Sequence, residues 1–372
     1  MKWLLLALPL AFAAGCTTMR DRLSGARTVQ EAAQAAADFY VADRGEDTCV
    51  VGVARGESGE TVFACAGGAD EHSLYRIASL SKMFLYKVLV TMNEEGRLAL
   101  GRSVADCSSL ALPPECANVT LRDLMENRSG LPREFLTLWD PSDVYSAFHC
   151  GFTGSHLYAD FDSRDGFVRE LWRPMWRKAM RKGGSEYSNM GFGLLGMAVE
   201  DALGRDLETL VAEELTGPLG MGDTTFSPQG DQTNRLTRAC AGDLPWLVRR
   251  RHEVPDHRLG DALRAAGGLL SSASDCLAFF RSCWPLVDSL TKAHPLQSTP
   301  DGADVGLLRV RALPDGRRVL FRAGMIYGGA SFVGYDPATR TVVVILRNVT
   351  SWPDRSAFDV MKRLSDVCGE DK

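Results

Sequence analysis

One stretch of this chain leaves little freedom in how it can fold. Residues 74–92 run Leu-Tyr-Arg-Ile-Ala-Ser-Leu-Ser-Lys and then, from 83 to 90, every side chain is apolar or aromatic except Lys87. A helix that is apolar nearly all round is a buried one, so this segment reads as a central helix with other elements packed around it. Ser79 and Lys82 stand three residues apart at its start, about one turn, and so on one face. A serine there has its main-chain N–H at a helix N-terminus, where negative charge is favoured. A lysine one turn on can take the serine's proton if burial lowers its amine pKa. The same spacing also describes an N-capping serine followed by a surface lysine. The pair gains meaning only from partners elsewhere.

The rest of the chain supplies a frame for such a helix. Its 372 residues are 45% hydrophobic, enough for one large core or two lobes. A net charge of −5 gives no nucleic-acid footprint. There is no P-loop, no His-Glu-x-x-His, no paired Cys-x-x-Cys and no dinucleotide glycine fingerprint. The six histidines are scattered, so neither a metal centre nor a cofactor is expected.

Strand patterns sit at both ends and helical patterns in the middle. Residues 48–54 and 60–66 read as a hairpin, and 305–312, 318–322, 330–335 and 341–346 as later strands. Helical periodicity covers 28–43, where Thr28 and Glu31 form a capping box, then 121–126, 168–181, 190–203, 207–215, 274–284 and 353–367. Strands grouped apart from helices predict an α+β fold. The expected architecture is one antiparallel sheet, built from both chain ends and flanked by helices, with an inserted, mostly helical lobe. The sheet lobe would cover about 28–95 and 265–372 and the helical lobe about 96–264. Ser79 would lie at the seam.

The N-terminus carries a targeting pattern. Lys2 precedes a short apolar run, broken by Pro9, that ends Ala13-Ala14-Gly15-Cys16. Residues 1–15 have the form of a secretory signal, too short to span a bilayer comfortably. Small residues ending at a cysteine resemble the lipobox of bacterial lipoproteins. That resemblance implies a mature chain beginning at a lipidated Cys16, a polar tether over 16–27, and a lipid-anchored place on the periplasmic or other extracytoplasmic face of a bacterial cell envelope. An ordinary secreted protein with a free Cys16, or an uncleaved anchor, fits the same residues. Nine further cysteines remain, an odd number. Cys49 and Cys65 flank the first hairpin symmetrically and are expected to pair across it. Cys107 and Cys116 are placed to staple the loop carrying Pro113-Pro114. Cys276 and Cys283 are too far apart along one helix to pair with each other.

Further motifs complete the pattern. Tyr187-Ser188-Asn189 follows Gly183-Gly184 and precedes a glycine-rich run through Gly196. Thr120-Leu121-Arg122-Asp123-Leu124 leads into Ser129-Gly130-Leu131-Pro132. Residues 218–224, Ala266-Gly267-Gly268-Leu269, Gly328 and Tyr335-Asp336-Pro337 follow. In this order and spacing, the chain resembles the serine β-lactamase and penicillin-binding superfamily over roughly residues 45–350, most closely its class C-like branch. That branch also holds D-alanyl-D-alanine carboxypeptidases, D-amino-acid peptidases and carboxylic esterases.

The resemblance implies roles residue by residue. Ser79 would be the acylated nucleophile, Lys82 its base or proton relay, and Tyr187 the group that shares the proton. Asn189 would hold the lysine or the substrate carbonyl. The branch's third element, Lys-Thr-Gly or its histidine variant, is here Arg322-Ala323-Gly324. Arginine keeps the cation but does not give up its proton near neutral pH. Ala323 lacks the hydroxyl that in the family touches a substrate carboxylate. Arg322, Gly324 and Met325 would line the substrate, with the main-chain N–H groups of Ser79 and Met325 as the oxyanion hole. Tyr327 is expected to narrow the cleft. The expected function is an envelope-anchored serine hydrolase forming an acyl-enzyme on a small ester or amide. The alternatives are a D-Ala-peptide carboxypeptidase or penicillin-binding protein acting on peptidoglycan-derived substrates, and a non-catalytic binding lipoprotein.

Overall fold

The computed structural model describes residues 18–41, 47–57, 59–135, 158, 162–182, 184–240, 253–256, 258–351 and 354–370. The signal segment and Cys16 lie outside these residues, as do Cys150, Trp139, Tyr145, Phe148, Phe152 and Phe161.

Among the described residues, nine strands form two sheets: β1 (Cys49–Arg55), β2 (Thr61–Ala66), β3 (Tyr75–Arg76), β4 (Leu270–Ser271), β5 (Asp304–Val305), β6 (Leu308–Ala312), β7 (Arg318–Ile326), β8 (Gly329–Asp336) and β9 (Thr341–Arg347). Seven of them make one antiparallel sheet in the order β2-β1-β9-β8-β7-β6-β5. The N-terminal hairpin therefore closes onto the C-terminal meander through β1 and β9, and β3 pairs separately with β4. β8 and β9 are buried at every position. That suits the unbroken Val342-Val343-Val344-Ile345-Leu346 run, because a strand covered on both faces has no side for polar residues.

The two covers differ. Helices Val29–Val41 and Asp354–Glu370 share one core with Val51, Val343 and Ile345. Helices Ser81–Glu94, Asn189–Leu203 and Ala273–Ser282 share the larger core on the other face. This is the α+β arrangement expected, with the central helix sealed between sheet and helical lobe. The capping box at residue 28 is present: Glu31 N–H donates to Thr28 Oγ1 at 3.1 Å, and Thr28 N–H to Glu31 at 3.2 Å.

The structure corrects several expectations. Residues 18–27 are not a tether. Thr18 and Asp21 cap a short helix, Met19–Leu23, that buries Met19 and Leu23. Arg20 bonds Asp359 of the terminal helix at 2.9 Å. Cys49 and Cys65 do not pair: the hairpin register sets Cys49 opposite Ala66 and Val50 opposite Cys65. Neighbouring residues on a strand face opposite sides, so a one-residue offset points the two thiols apart. Cys107 and Cys116 are also free, and Cys116 lies 3.7 Å from the sulfur of Met180. The basic helix around 168–181 is two helices, Arg164–Leu171 and Pro174–Lys182, broken before Pro174.

Candidate active site

Ser79 sits in a single tight turn, Ala78–Leu80, that leads directly into the central helix Ser81–Glu94. Ala78 has φ +48°, in the left-handed region that costs a residue with a Cβ about 1–2 kcal/mol. Packing holds it there. Ser81 Oγ donates to Ala78 O at 2.6 Å and accepts from Leu269 N–H at 3.1 Å. The Ala266-Gly267-Gly268-Leu269 segment is thereby stitched to the serine turn. A Cβ on Gly267 would lie 3.4 Å from the Ala78 carbonyl carbon.

Lys82 follows one turn later and is fully buried. Its Nζ has three oxygen neighbours: Ser79 Oγ at 3.2 Å, Asn189 Oδ1 at 2.7 Å and the main-chain oxygen of Ala266. Tyr187 O–H donates to Ser79 Oγ at 2.7 Å. The serine oxygen thus meets an amine and a phenol that come from distant parts of the chain.

The stretch carrying Tyr187 and Asn189 is fixed by the loop before it. Ser188 N–H donates to Asn127 Oδ1 at 2.9 Å, and Ser188 Oγ donates to Pro132 O at 2.6 Å while capping helix Asn189–Leu203. Asn189 N–H donates to Arg133 O at 3.0 Å. Ser188, rather than Asn189, is the cap, which leaves the Asn189 amide free to reach Lys82. Its Nδ2 donates to the carboxylate of Glu134. Sequence reasoning did not single out Glu134. It stands two residues beyond the Ser129-Gly130-Leu131-Pro132 motif, and its signal is an acidic residue beside that loop.

The third wall is β7. Ser331 Oγ on the neighbouring strand donates to Ile77 O at 2.6 Å. A Cβ on Gly324 would lie 2.7 Å from Ile77 O and 2.8 Å from the Ser79 nitrogen, so only glycine lets the strand come this close. Met325 follows at the same edge, paired in register with Ala330. The guanidinium of Arg322 lies 4.6 Å from the Tyr187 ring centre, and that of Arg133 lies 5.3 Å away. Tyr327 is not among the residues lining the cleft; it packs against Ala239 and Val254.

These charges tune one another. Burial drives the Lys82 amine below its ordinary value, and Arg322 pushes it the same way against the pull of Tyr187 and Glu134. Burial alone would raise the Tyr187 phenol, but the Lys82 and Arg322 cations outweigh it and hold it at about 8. Burial raises the Glu134 carboxyl, opposed by its bond from Asn189 and by the Lys82 and Arg133 charges. An amine pushed down and a phenol pulled down, both on one serine oxygen, can accept and return a proton near neutral pH.

Beside Ser79 opens a cleft of about 440 Å³. Arg133, Arg309, Arg311 and Arg322 line it with Phe321 and Phe358. Arg309 pairs with Asp304 and Arg311 with Asp301, whereas Arg133 and Arg322 have no ion pair among the described residues. The described residues hold no cluster of three or more metal-type ligands. No helix among them is long and apolar enough to cross a membrane.

A family model described as Beta-lactamase matches residues 33–365. A D-alanyl-D-alanine-carboxypeptidase/endopeptidase, AmpH of Escherichia coli K12, is 32% identical over 187 residues, 46% of this chain. The chain spans less than half of that relative, 42% of its length. Among solved structures, a β-lactamase/D-alanine carboxypeptidase from Pseudomonas syringae superposes with a TM-score of 0.67 at 14% identity, covering 91% of this chain and 98% of that one. A D-amino acid amidase from Ochrobactrum anthropi SV3 superposes with a TM-score of 0.65 at 19% identity, covering 91% and 99%. At these identities the superpositions speak for the fold.

Proposed function

The chain belongs to the beta-lactamase family, a family of serine hydrolases, and from that premise we propose that it cleaves a small ester or amide through an acyl-enzyme on Ser79. The observation that carries this reading is the convergence of Lys82 Nζ and Tyr187 O–H on Ser79 Oγ, at 3.2 and 2.7 Å, at the wall of an open cleft. In acylation, Ser79 Oγ bonds to the substrate carbonyl carbon and its proton passes to the Lys82–Tyr187 pair. The carbonyl oxygen, now negative, is held by the main-chain N–H groups of Ser79 and Met325. The pair then returns the proton to the departing alcohol or amine as its bond to carbon breaks. A water gives a proton to the same pair and attacks the Ser79 ester, releasing the acid and restoring the serine. Arg322, unable to relay a proton, pairs with an anionic group of the substrate and lowers the Tyr187 phenol.

A second reading, hydrolysis of D-alanyl peptides, is favoured by the stretch shared with the E. coli carboxypeptidase. Ala323, which offers no hydroxyl to a terminal carboxylate, weighs against it. Intact-mass spectrometry separates the two. The wild type is expected to gain a fluorophosphonate adduct and to turn over p-nitrophenyl acetate, and a Ser79→Ala variant to do neither. A covalent adduct from benzylpenicillin or a D-alanyl-D-alanine peptide would assign the second reading. Silence toward every probe would overturn both in favour of a binding protein. We also propose that Cys16 carries lipid and holds the domain at the bacterial envelope. The chain, expressed with its leader, is then expected to enter the detergent phase on Triton X-114 partition, and a Cys16→Ala variant to stay aqueous.

A further inference from the structure

We propose that Glu134 is a positioning residue that locks the Asn189 amide with its oxygen toward Lys82, and so keeps one face of the lysine amine open to Ser79. The inference rests on the hydrolase reading above and goes beyond it by giving a role to a residue outside the three family elements.

The capacity of the amine to bond sets what its neighbours can do. A neutral lysine has two N–H donors and one lone pair. Asn189 Oδ1, at 2.7 Å, and the Ala266 main-chain oxygen are pure acceptors, and together they use both donors. The amine also donates to Ser79 Oγ, at 3.2 Å; once it has lost that third proton, its lone pair faces the Ser79 hydroxyl. That is the arrangement a base needs. It fails if the Asn189 amide turns over. An NH₂ group facing Nζ would seek the lone pair itself and compete with the serine.

Asparagine alone does not choose between the two orientations, since its two ends are nearly the same size. Here its far end decides. Nδ2 donates to Glu134, and a carboxylate accepts hydrogen bonds without donating any. A flipped amide would set its oxygen against the carboxylate oxygen and its NH₂ against the amine, wrong at both ends. Glu134 is therefore an orientation device acting through Asn189. Its own position is set by the Asn127–Glu134 loop, which is bonded to Ser188 and Asn189 along its length.

The charge of Glu134 has a separate, readable effect. Lys82 faces Tyr187 from the loop before helix Asn189–Leu203, Arg322 from β7, and Glu134 from the 127–134 loop. Glu134 in turn faces Lys82, Arg133, Asn189 and Tyr158. Glu134 favours the protonated amine and Arg322 opposes it. Removing the Glu134 charge while keeping an acceptor lets the pair shed its proton more readily. The acid limb of kcat/KM then moves to lower pH.

Two variants of the full chain test this with p-nitrophenyl acetate as probe, Ser79→Ala as the blank and thermal unfolding as the folding control. Glu134→Gln keeps an oxygen for Nδ2. It is expected to hold kcat within about threefold at its optimum, with the acid limb displaced to lower pH. Glu134→Met offers no acceptor and is expected to lose about 100-fold in kcat with KM little changed. Equal losses in both variants, an unchanged kcat in Glu134→Met, or an acid limb that stays or moves up in Glu134→Gln would each overturn the proposal. If Glu134→Met does not fold, the Glu134→Gln profile alone decides. A wild type no faster than the blank would sink the hydrolase reading instead. The lock then remains testable by ¹⁵N NMR of the Asn189 side-chain NH₂. Its resonances are expected to be shifted and protected from exchange in wild type and Glu134→Gln; identical signals in wild type and Glu134→Met would overturn it.

Discussion

On the helical side of Ser79, the Lys82 amine is sealed from solvent and held by three oxygens, one of them in an amide itself braced by Glu134. On the strand side, Arg322 stands half-buried over the Tyr187 ring, with no carboxylate partner among the described residues. The first wall is interlocked: Lys82, Asn189 and Glu134 bond one another in series, and changing one disturbs the rest. The second is open: it presents a cation and a main-chain edge to whatever enters. Interlocked groups suit proton transfer, where a displacement of a fraction of an ångström is costly. An unsatisfied wall suits recognition, where its side chain can change without dismantling the chemistry. The departure from the family pattern falls on the open wall.

The comparison breaks most easily at the sealed wall. Ser79→Ala is expected to cut kcat/KM for p-nitrophenyl acetate by about 10⁴-fold or more, and Tyr187→Phe by about 10²–10⁴-fold, measured by steady-state hydrolysis. If Tyr187→Phe costs less than tenfold, the phenol is not in the proton path and the wall is only loosely coupled. Arg322→Ala probes the open wall and should be milder. With that cation gone, Tyr187 rises from about 8. A group whose deprotonated form is needed then becomes available only at higher pH, so the acid limb shifts upward, the direction opposite to Glu134→Gln. At alkaline pH, kcat on the neutral ester should recover to within about threefold, while KM for a carboxylate-bearing ester stays raised about tenfold, as expected for a lost ion pair. A kcat that fails to recover would make Arg322 part of the chemistry. The smallest effect sharpens the picture by its absence. With Cys49, Cys65, Cys107 and Cys116 free, dithiothreitol should leave the melting temperature unchanged. A fall of several degrees under reduction would show that a bridge forms after all.

The sequence made the site legible where its grammar is local. Ser79 and Lys82 share a helical face by spacing alone, and Tyr187 and Asn189 stand two apart before a helix. The sheet built from both chain ends followed from grouped β-branched runs at the two termini. The failures have physical causes. Cross-strand pairing of Cys49 with Cys65 depended on the turn between Arg55 and Thr61, and a single residue of offset inverts a strand's two faces. Glu134 lies 55 residues from the amide it braces, a contact that no periodicity encodes. The Met19–Leu23 helix is too short for a hydrophobic pattern, although its Thr18 and Asp21 carried the capping signature.

That short helix has a consequence for how the protein would sit at a bilayer. With lipid on Cys16, a single residue, Thr17, precedes the cap that starts a packed element, and two residues of extended chain reach only about 7 Å. Arg20 is bonded to Asp359, and the next side chain along, Phe358, lines the cleft. Such an enzyme would not swing on a leash. A lipid on Cys16 would hold the packed domain within about 7 Å of the headgroups.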